Sequence, residues 1–193
     1  IAVGEGPRMA SADMFRIKVK GVGGHGSMPN YGVDALVAAS AIVMNLQTVV
    51  SREVSPMESA VVSVGKLVSG TRFNVIADEA IMEGTTRCFS YEVREQLPAA
   101  MERIVKSTAA SYRAEAEFEY NFLTAPTINN KESTERAKKA IEKIMSEDAV
   151  MEMPKTAGAE DFSEYLEMVP GTFAIVGTAN KDKDTCHSNH HPM

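Results

Sequence analysis

The chain has 193 residues, 44% of them hydrophobic and 24% charged, with a formal net charge of −6 at pH 7. That length suits one large domain or two small ones, and the acidic balance leaves a nucleic-acid role without support. The longest apolar runs read as too short to span a bilayer, the first residues (Ile1-Ala2-Val3-Gly4-Glu5) lack the pattern of a signal peptide, and the two dissimilar cysteine contexts, Cys88 and Cys186, fit a reducing, cytoplasmic setting better than a disulfide framework.

Asp13 to Lys20 alternates, with Phe15, Ile17 and Val19 on one face and Arg16, Lys18 and Lys20 on the other, which predicts a half-buried strand. Tyr31 to Arg52 reads as a helix with Leu36, Ala39, Val43, Leu46 and Val50 in an apolar stripe. Ala60 to Val68 is rich in β-branched residues and closed by Ser69-Gly70, and Glu79 to Phe89 is a further strand. Val93, Leu97, Ala100, Met101, Ile104 and Thr108 mark a second helix. Ala116, Phe118, Tyr120 and Phe122 alternate with acidic and amide residues in a fourth strand. The order β-α-β-β-α-β is the ferredoxin-like split arrangement: one four-stranded sheet with two helices on one face, from about Ala12 to Asn121.

The rest differs in character. Asn130 is placed to cap a helix running to about Met145, with Ala137, Ile141 and Ile144 inward. A short helix from Ala159 to Met168 carries acidic residues in its first turn, and Thr172 to Val176 reads as a short buried strand. Together with Ile1 to Arg8 these elements read as pieces of a second domain without a sheet of its own, into which the small domain is inserted. The chain does not begin with Met and stops just past a histidine-rich segment, so a piece of a longer protein is expected.

Five short segments hold residues able to carry chemistry. Gly23-Gly24-His25-Gly26-Ser27-Met28-Pro29 sets an imidazole between glycines, whose backbones tolerate positive φ and close approach to a ligand. Such a ring accepts a proton or donates to an oxyanion; a plain glycine turn with an incidental histidine gives the same pattern. Asn74, in Phe73-Asn74-Val75-Ile76, suits a substrate contact or an Asx-turn. Arg87 shares a strand face with Thr85 and Glu83 and suits either a bidentate carboxylate contact or an ion pair with Glu83. Gly158-Ala159-Glu160-Asp161-Phe162 opens a helix whose free N–H groups suit an anionic group. Cys186-His187-Ser188-Asn189-His190-His191-Pro192 holds three of the four histidines, and imidazole is a common zinc ligand, although local spacing alone assembles no site. Ser27 has no nucleophile-elbow setting, and the methionines read as core filling.

Taken in order, the His25, Asn74, Arg87 (Gly84-Thr85-Thr86-Arg87), Gly158 and His190-His191-Pro192 segments resemble the dinuclear-metal amidohydrolases related to aminoacylase. The nearest branch holds hippurate hydrolases, N-acyl-amino-acid amidohydrolases and the plant enzymes that cleave auxin–amino-acid conjugates. The resemblance runs nearly the whole chain. It implies a βαββαβ lid over residues 12–121, which is also a dimerisation domain, inserted in a zinc-peptidase-like α/β catalytic domain to which 1–11 and 122–193 belong.

The same resemblance implies roles. His25 would reach the partner subunit's site, polarise the scissile carbonyl and stabilise the oxyanion, with Asn74 assisting from the same lid. Arg87 would bind the substrate carboxylate, Gly158 would offer backbone contacts, and His190, with His187 as rival, would be a metal ligand. The implied reaction is hydrolysis of N-acyl amino acids or similar amides by water held between two divalent ions, zinc or else manganese, cobalt or nickel. The remaining ligands and the general-base glutamate would lie upstream of Ile1, so this chain alone is expected to be inactive and to retain metal weakly or not at all. A homodimer and a small-molecule substrate are the implied partners, with no nucleic acid and no membrane. Two other readings stay open: a non-catalytic ferredoxin-like dimerisation or ligand-binding module, and, against the acidic charge, RNA binding on the sheet face.

Overall fold

The chain runs β1 (Gly6–Met9), β2 (Ala12–Lys20), β3 (Gly24–His25), α1 (Ala35–Thr48), β4 (Ala60–Ser69), β5 (Val75–Ile76), β6 (Glu79–Cys88), α2 (Tyr91–Ser111), β7 (Glu115–Thr124), β8 (Thr127–Asn129), α3 (Lys131–Ile144) and α4 (Ser163–Met168) in the computed structural model, which describes residues 1–179 and 182. β2 is the spine of a four-stranded antiparallel sheet ordered β4-β6-β2-β7. Its alternation is the one read from the sequence: Phe15, Ile17 and Val19 are fully buried while Met14, Arg16 and Lys20 face solvent. Asp13 has the parity of Phe15 and is buried as well.

α1 and α2 pack against each other and against the buried face of the sheet, where Ile42, Leu46, Met82, Leu97, Met101 and Val105 fill the core. Full burial of each such side chain contributes about 1.5–3 kcal/mol. Gly84 sits directly beneath the Phe15 ring, and a Cβ there would overlap both the ring and the Ser63 carbonyl. On the opposite face charges pair across strands, Lys18 with Glu79 at 2.6 Å and Lys66 with Glu83 at 3.0 Å. Exposed pairs of this kind add little stability.

The first helix differs from its expected form. The residues after Tyr31 do not continue it; a 3-10 turn, Pro29–Tyr31, comes first, and Asp34 then caps α1 by accepting from the N–H groups of Leu36 (3.0 Å) and Val37 (3.1 Å). The helix continues through a π turn, Val49–Glu53. Its buried face is Ala35, Ala38, Ala39, Ile42, Leu46 and Val49, whereas Leu36 is exposed and Val43 and Val50 are half-buried. The inward stripe thus combines small residues in the first turns with Ile42, Leu46 and Val49 further on. The run Ala35–Glu53 is also long and apolar enough to cross a bilayer, with a mean hydropathy of 1.3, which corrects the expectation that no run is. Its alanine-lined stripe lies on the sheet.

Beyond the main sheet, β1 and β8 form an antiparallel pair, so this part of the chain does have a small sheet of its own. Asn129 is its tie: its amide donates to the carbonyls of Gly4 (2.8 Å) and Phe173 (2.9 Å), and its oxygen accepts from the Phe173 N–H at 2.7 Å. Asn130 caps α3, accepting from the Ser133 N–H at 3.0 Å. Ile141 is buried, but Ile144, expected inward, is 83% exposed because it ends the helix beyond its packed turns. α4 begins at Ser163, four residues later than expected. Thr172–Val176 forms no strand; it contributes a single bridge, Ile175 to Ala2, with Ile175 and Val176 exposed.

Candidate functional site

Past the end of β2 the chain turns into β3, where Gly24 and His25 pair with Ile76 and Val75 of β5. His25 is exposed. Its Nδ1 accepts from the Ser27 N–H at 3.2 Å and lies 2.7 Å from Ser27 Oγ. Asn74 is brought to the same place because its carbonyl accepts from the Gly26 N–H at 2.8 Å. A Cβ on Gly26 would stand 2.9 Å from that carbonyl oxygen, so the glycine serves close approach. Positive φ, the other reason for glycine at this loop, occurs among the described glycines only at Gly6 and Gly70. His25 and Gly24 line an open cleft of about 440 Å³ with Gly70, Thr71, Val75 and Asp78. Phe73, beside Asn74, is fully exposed.

Arg87 stands at the other end of the sheet. Its Nη1 donates to Thr85 Oγ1 at 2.7 Å and to the Thr86 carbonyl at 3.1 Å. The alternative ion pair with Glu83 does not form, since Glu83 pairs with Lys66. Gly158 lies on the Arg87 side: its carbonyl accepts from the Ala10 N–H at 3.0 Å, and the next residue, Ser11, donates its N–H to the Cys88 carbonyl at 2.8 Å. The Gly158 N–H donates to Thr156 Oγ1 at 3.3 Å, so both its backbone groups have partners, although the residue is exposed. Nearby, burial, reinforced by the adjacent Asp161, pushes the Glu160 carboxyl above the usual range.

The register of β2 with β6 measures the separation. Lys20 faces Glu79 at the His25 end and Asp13 faces Thr86 at the Arg87 end. At about 3.3 Å per residue, Arg87 is roughly 25 Å along the sheet from the strand ends that carry His25. The sequence-predicted residues thus fall into two clusters, His25 with Asn74 and Arg87 with Gly158, which one copy of the chain does not bring together. His190 and its rival His187 lie outside the described residues. Among the described residues no three of His, Cys, Asp or Glu are gathered so as to hold a metal ion, so this part of the chain does not by itself fit a resident metal.

Sequence reasoning missed the polar network that braces the Arg87 end. The buried Asp13 carboxylate accepts from Arg94 Nε (2.9 Å) and Nη2 (2.7 Å), from the Leu123 N–H (2.9 Å) and from the Tyr120 hydroxyl (3.4 Å). Tyr120 also lies 2.6 Å from Thr86 Oγ1, and Arg94 stacks over Phe122 at 5.0 Å. The hydrogen bonds to Asp13 hold the guanidinium proton of Arg94 above its ordinary value, and burial pushes up the Tyr120 hydroxyl. The signal was present in the strand parity, which puts Asp13 on the Phe15 face.

The profile of peptidase family M20/M25/M40 matches residues 2–193. The chain is 40% identical over 193 residues to an N-acetylcysteine deacetylase of Bacillus subtilis (strain 168), covering 100% of this chain and 49% of that protein. It is 34% identical over 192 residues to the IAA-amino acid hydrolase ILR1-like 4 of Arabidopsis thaliana, covering 97% and 44%. Among solved structures, the YXEP protein of Bacillus subtilis, a dinuclear metal binding peptidase from the M20 family, superposes with a TM-score of 0.72 at 34% identity, covering 89% of this chain and 42% of that one. The chain spans about half the length of the curated relatives it matches. The chain belongs to peptidase family M20/M25/M40.

Proposed function

We propose that this chain is the lid and the C-terminal part of the catalytic domain of a divalent-metal-dependent hydrolase that cleaves N-acyl amino acids or related carboxylate-bearing amides. In this reading residues 12–121 are a ferredoxin-like βαββαβ lid through which two copies dimerise, and 1–11 with 122–193 belong to a zinc-peptidase-like α/β domain. The strand order β4-β6-β2-β7, with both helices on one face, supports the lid. The deacetylase and amino acid hydrolase among the relatives support the reaction class, and the 49% and 44% of their lengths that are covered support a larger enzyme. Kinship with a dinuclear metal binding peptidase supports the metal, with His190 as this chain's ligand.

The observation that carries the reading is the split of the polar residues between the two ends of one sheet. A substrate that meets an imidazole at its amide and a guanidinium at its carboxylate spans only a few bonds, so clusters about 25 Å apart on one chain serve it only if two copies contribute. His25 and Asn74 of one lid then face the site that holds Arg87 and Gly158 of the other copy. There the His25 ring donates to the scissile carbonyl oxygen as negative charge develops on it, with Asn74 beside it. Arg87 exchanges its contacts with the uncharged Thr85 hydroxyl and Thr86 carbonyl for hydrogen bonds to an ionised carboxylate, which the guanidinium fork matches in a bidentate pair.

Replacing Arg87 with Ala in the full-length enzyme tests the substrate assignment. Loss of charged hydrogen bonds should raise KM for an N-acetyl amino acid by roughly tenfold to a hundredfold, with little change for the corresponding carboxamide. An unchanged KM for the acid removes Arg87 from the site.

A further inference from the structure

We propose that Ser27 is a positioning residue that holds the neutral His25 ring in its Nε2–H tautomer and leaves that N–H pointing outward as a hydrogen-bond donor. The catalytic consequence rests on the reading of His25 given above; the tautomer itself does not.

The argument starts from the backbone. An amide N–H donates and never accepts, so the Ser27 N–H at 3.2 Å from Nδ1 engages the lone pair of that nitrogen. With Nδ1 as acceptor, the Ser27 hydroxyl at 2.7 Å is the second donor to it. A neutral imidazole carries one ring proton, and which nitrogen bears it is set by the contact the other makes. Two donors on Nδ1 therefore put the proton on Nε2. The same contacts select the ring orientation, because a flipped ring would set the Cδ2–H against both donors. Among the described residues Nε2 has no hydrogen-bond partner, and the ring stands exposed on a two-residue strand. Ser27 is therefore neither a nucleophile nor a surface filler: its place two residues after the histidine lets one residue offer both its N–H and its hydroxyl to one ring nitrogen. His25 then acts on the carbonyl oxygen as a neutral donor whose proton stays on Nε2 throughout, so no proton acceptor is needed behind it.

Long-range proton–nitrogen correlation spectra of the isotope-labelled 193-residue chain, recorded above the titration of its histidines, read the protonation of each ring nitrogen, and His25→Gln identifies the His25 signals. The expected pattern is an unprotonated Nδ1 and a protonated Nε2, a shift of both toward the tautomer average in Ser27→Ala, and the parent pattern in Ser27→Thr. A protonated Nδ1 in the parent chain overturns the proposal even where the variants do not fold; a Ser27→Ala spectrum identical to the parent's overturns the hydroxyl's part in it, because alanine keeps the backbone N–H donor. In the full-length enzyme Ser27→Ala should lower kcat roughly fivefold, the loss of one hydrogen bond, with KM unchanged, and Ser27→Thr should restore it. An unchanged kcat in Ser27→Ala overturns the positioning role. Full activity in His25→Ala alongside the expected tautomer overturns instead the reading of His25 as the carbonyl-facing group.

Discussion

Replacing Asp13 with Asn should cost this domain more stability than any conservative change on its solvent face. Asp13 is 1% exposed and Arg94 is 9% exposed. Oδ1 accepts from Arg94 Nη2 and the Leu123 N–H, and Oδ2 from Arg94 Nε and the Tyr120 hydroxyl. An amide keeps one of these oxygens and turns an NH2 group toward donors at the other. If the oxygen stays at Oδ1, the NH2 faces Arg94 Nε, and one charge-assisted hydrogen bond of about 1.5–3 kcal/mol is lost. The guanidinium is then left without a counter-charge in a site largely closed to water. Removing one member of a buried pair costs about 3–5 kcal/mol, a large share of the 5–15 kcal/mol typical of a folded domain. Urea unfolding followed by circular dichroism reads the loss as a lowered midpoint with an unchanged slope. Combining Asp13→Asn with Arg94→Met should cost less than the sum of the single changes by about 1 kcal/mol or more. A loss below about 1 kcal/mol for Asp13→Asn, or strict additivity in the double variant, would refute the view that this pair is a buried, mutually dependent brace.

Two further outcomes concern the same end of the sheet. Gly84→Ala should destabilise by about 1–3 kcal/mol through overlap with the Phe15 ring and the Ser63 carbonyl; a thermal midpoint equal to the parent's would show that Gly84 is not needed for close packing. Burial pushes the Cys88 thiol above its ordinary value of 9.0. Once pH passes that ordinary value, the unfolded chain loses this proton while the folded chain keeps it, so the folded state binds more protons and stability falls as pH rises. Urea midpoints compared between about pH 8 and about pH 10.5 should fall less steeply in Cys88→Ala than in the parent, and identical slopes would falsify that origin.

Much of the fold is legible because the sheet imposes a period of two. Phe15, Ile17 and Val19, and Phe118 with Tyr120, announce their face without reference to any other part of the chain. The face of α1 is not legible in that way. Small residues, Ala35, Ala38 and Ala39, supply half of its buried face, and a reading weighted by side-chain size turns toward Leu36 and Val43 instead. Asp13 shows how a residue can be visible in pattern yet unread: its parity places it inside, but an acidic residue at a strand start passes as solvent-facing until Arg94 is seen beside it. His25, Asn74, Arg87 and Gly158 could each be named from local motifs. Their division between two ends depends on the β2–β6 register and on the β3–β5 pairing, which no single segment encodes. Ser27 has no nucleophile-elbow setting in the sequence, and its pair of donors to the His25 ring shows only once the loop is folded.

The proposed sharing of one site between two copies makes the sharpest demand on experiment. His25→Ala and Arg87→Ala should each strongly impair the full-length enzyme as pure homodimers, because every site then lacks one contributor. Co-assembled in equal amounts, the two variants form mixed dimers in half of the population, and each mixed dimer holds one site with the parent's His25 from one copy and the parent's Arg87 from the other. Activity should return to about a quarter of the parent's, the fraction of intact sites under random pairing of two copies. Activity that stays at the level of the separate variants, with mixed dimers shown to be present, would mean that one copy supplies both groups and that the two-ended arrangement is not the working one.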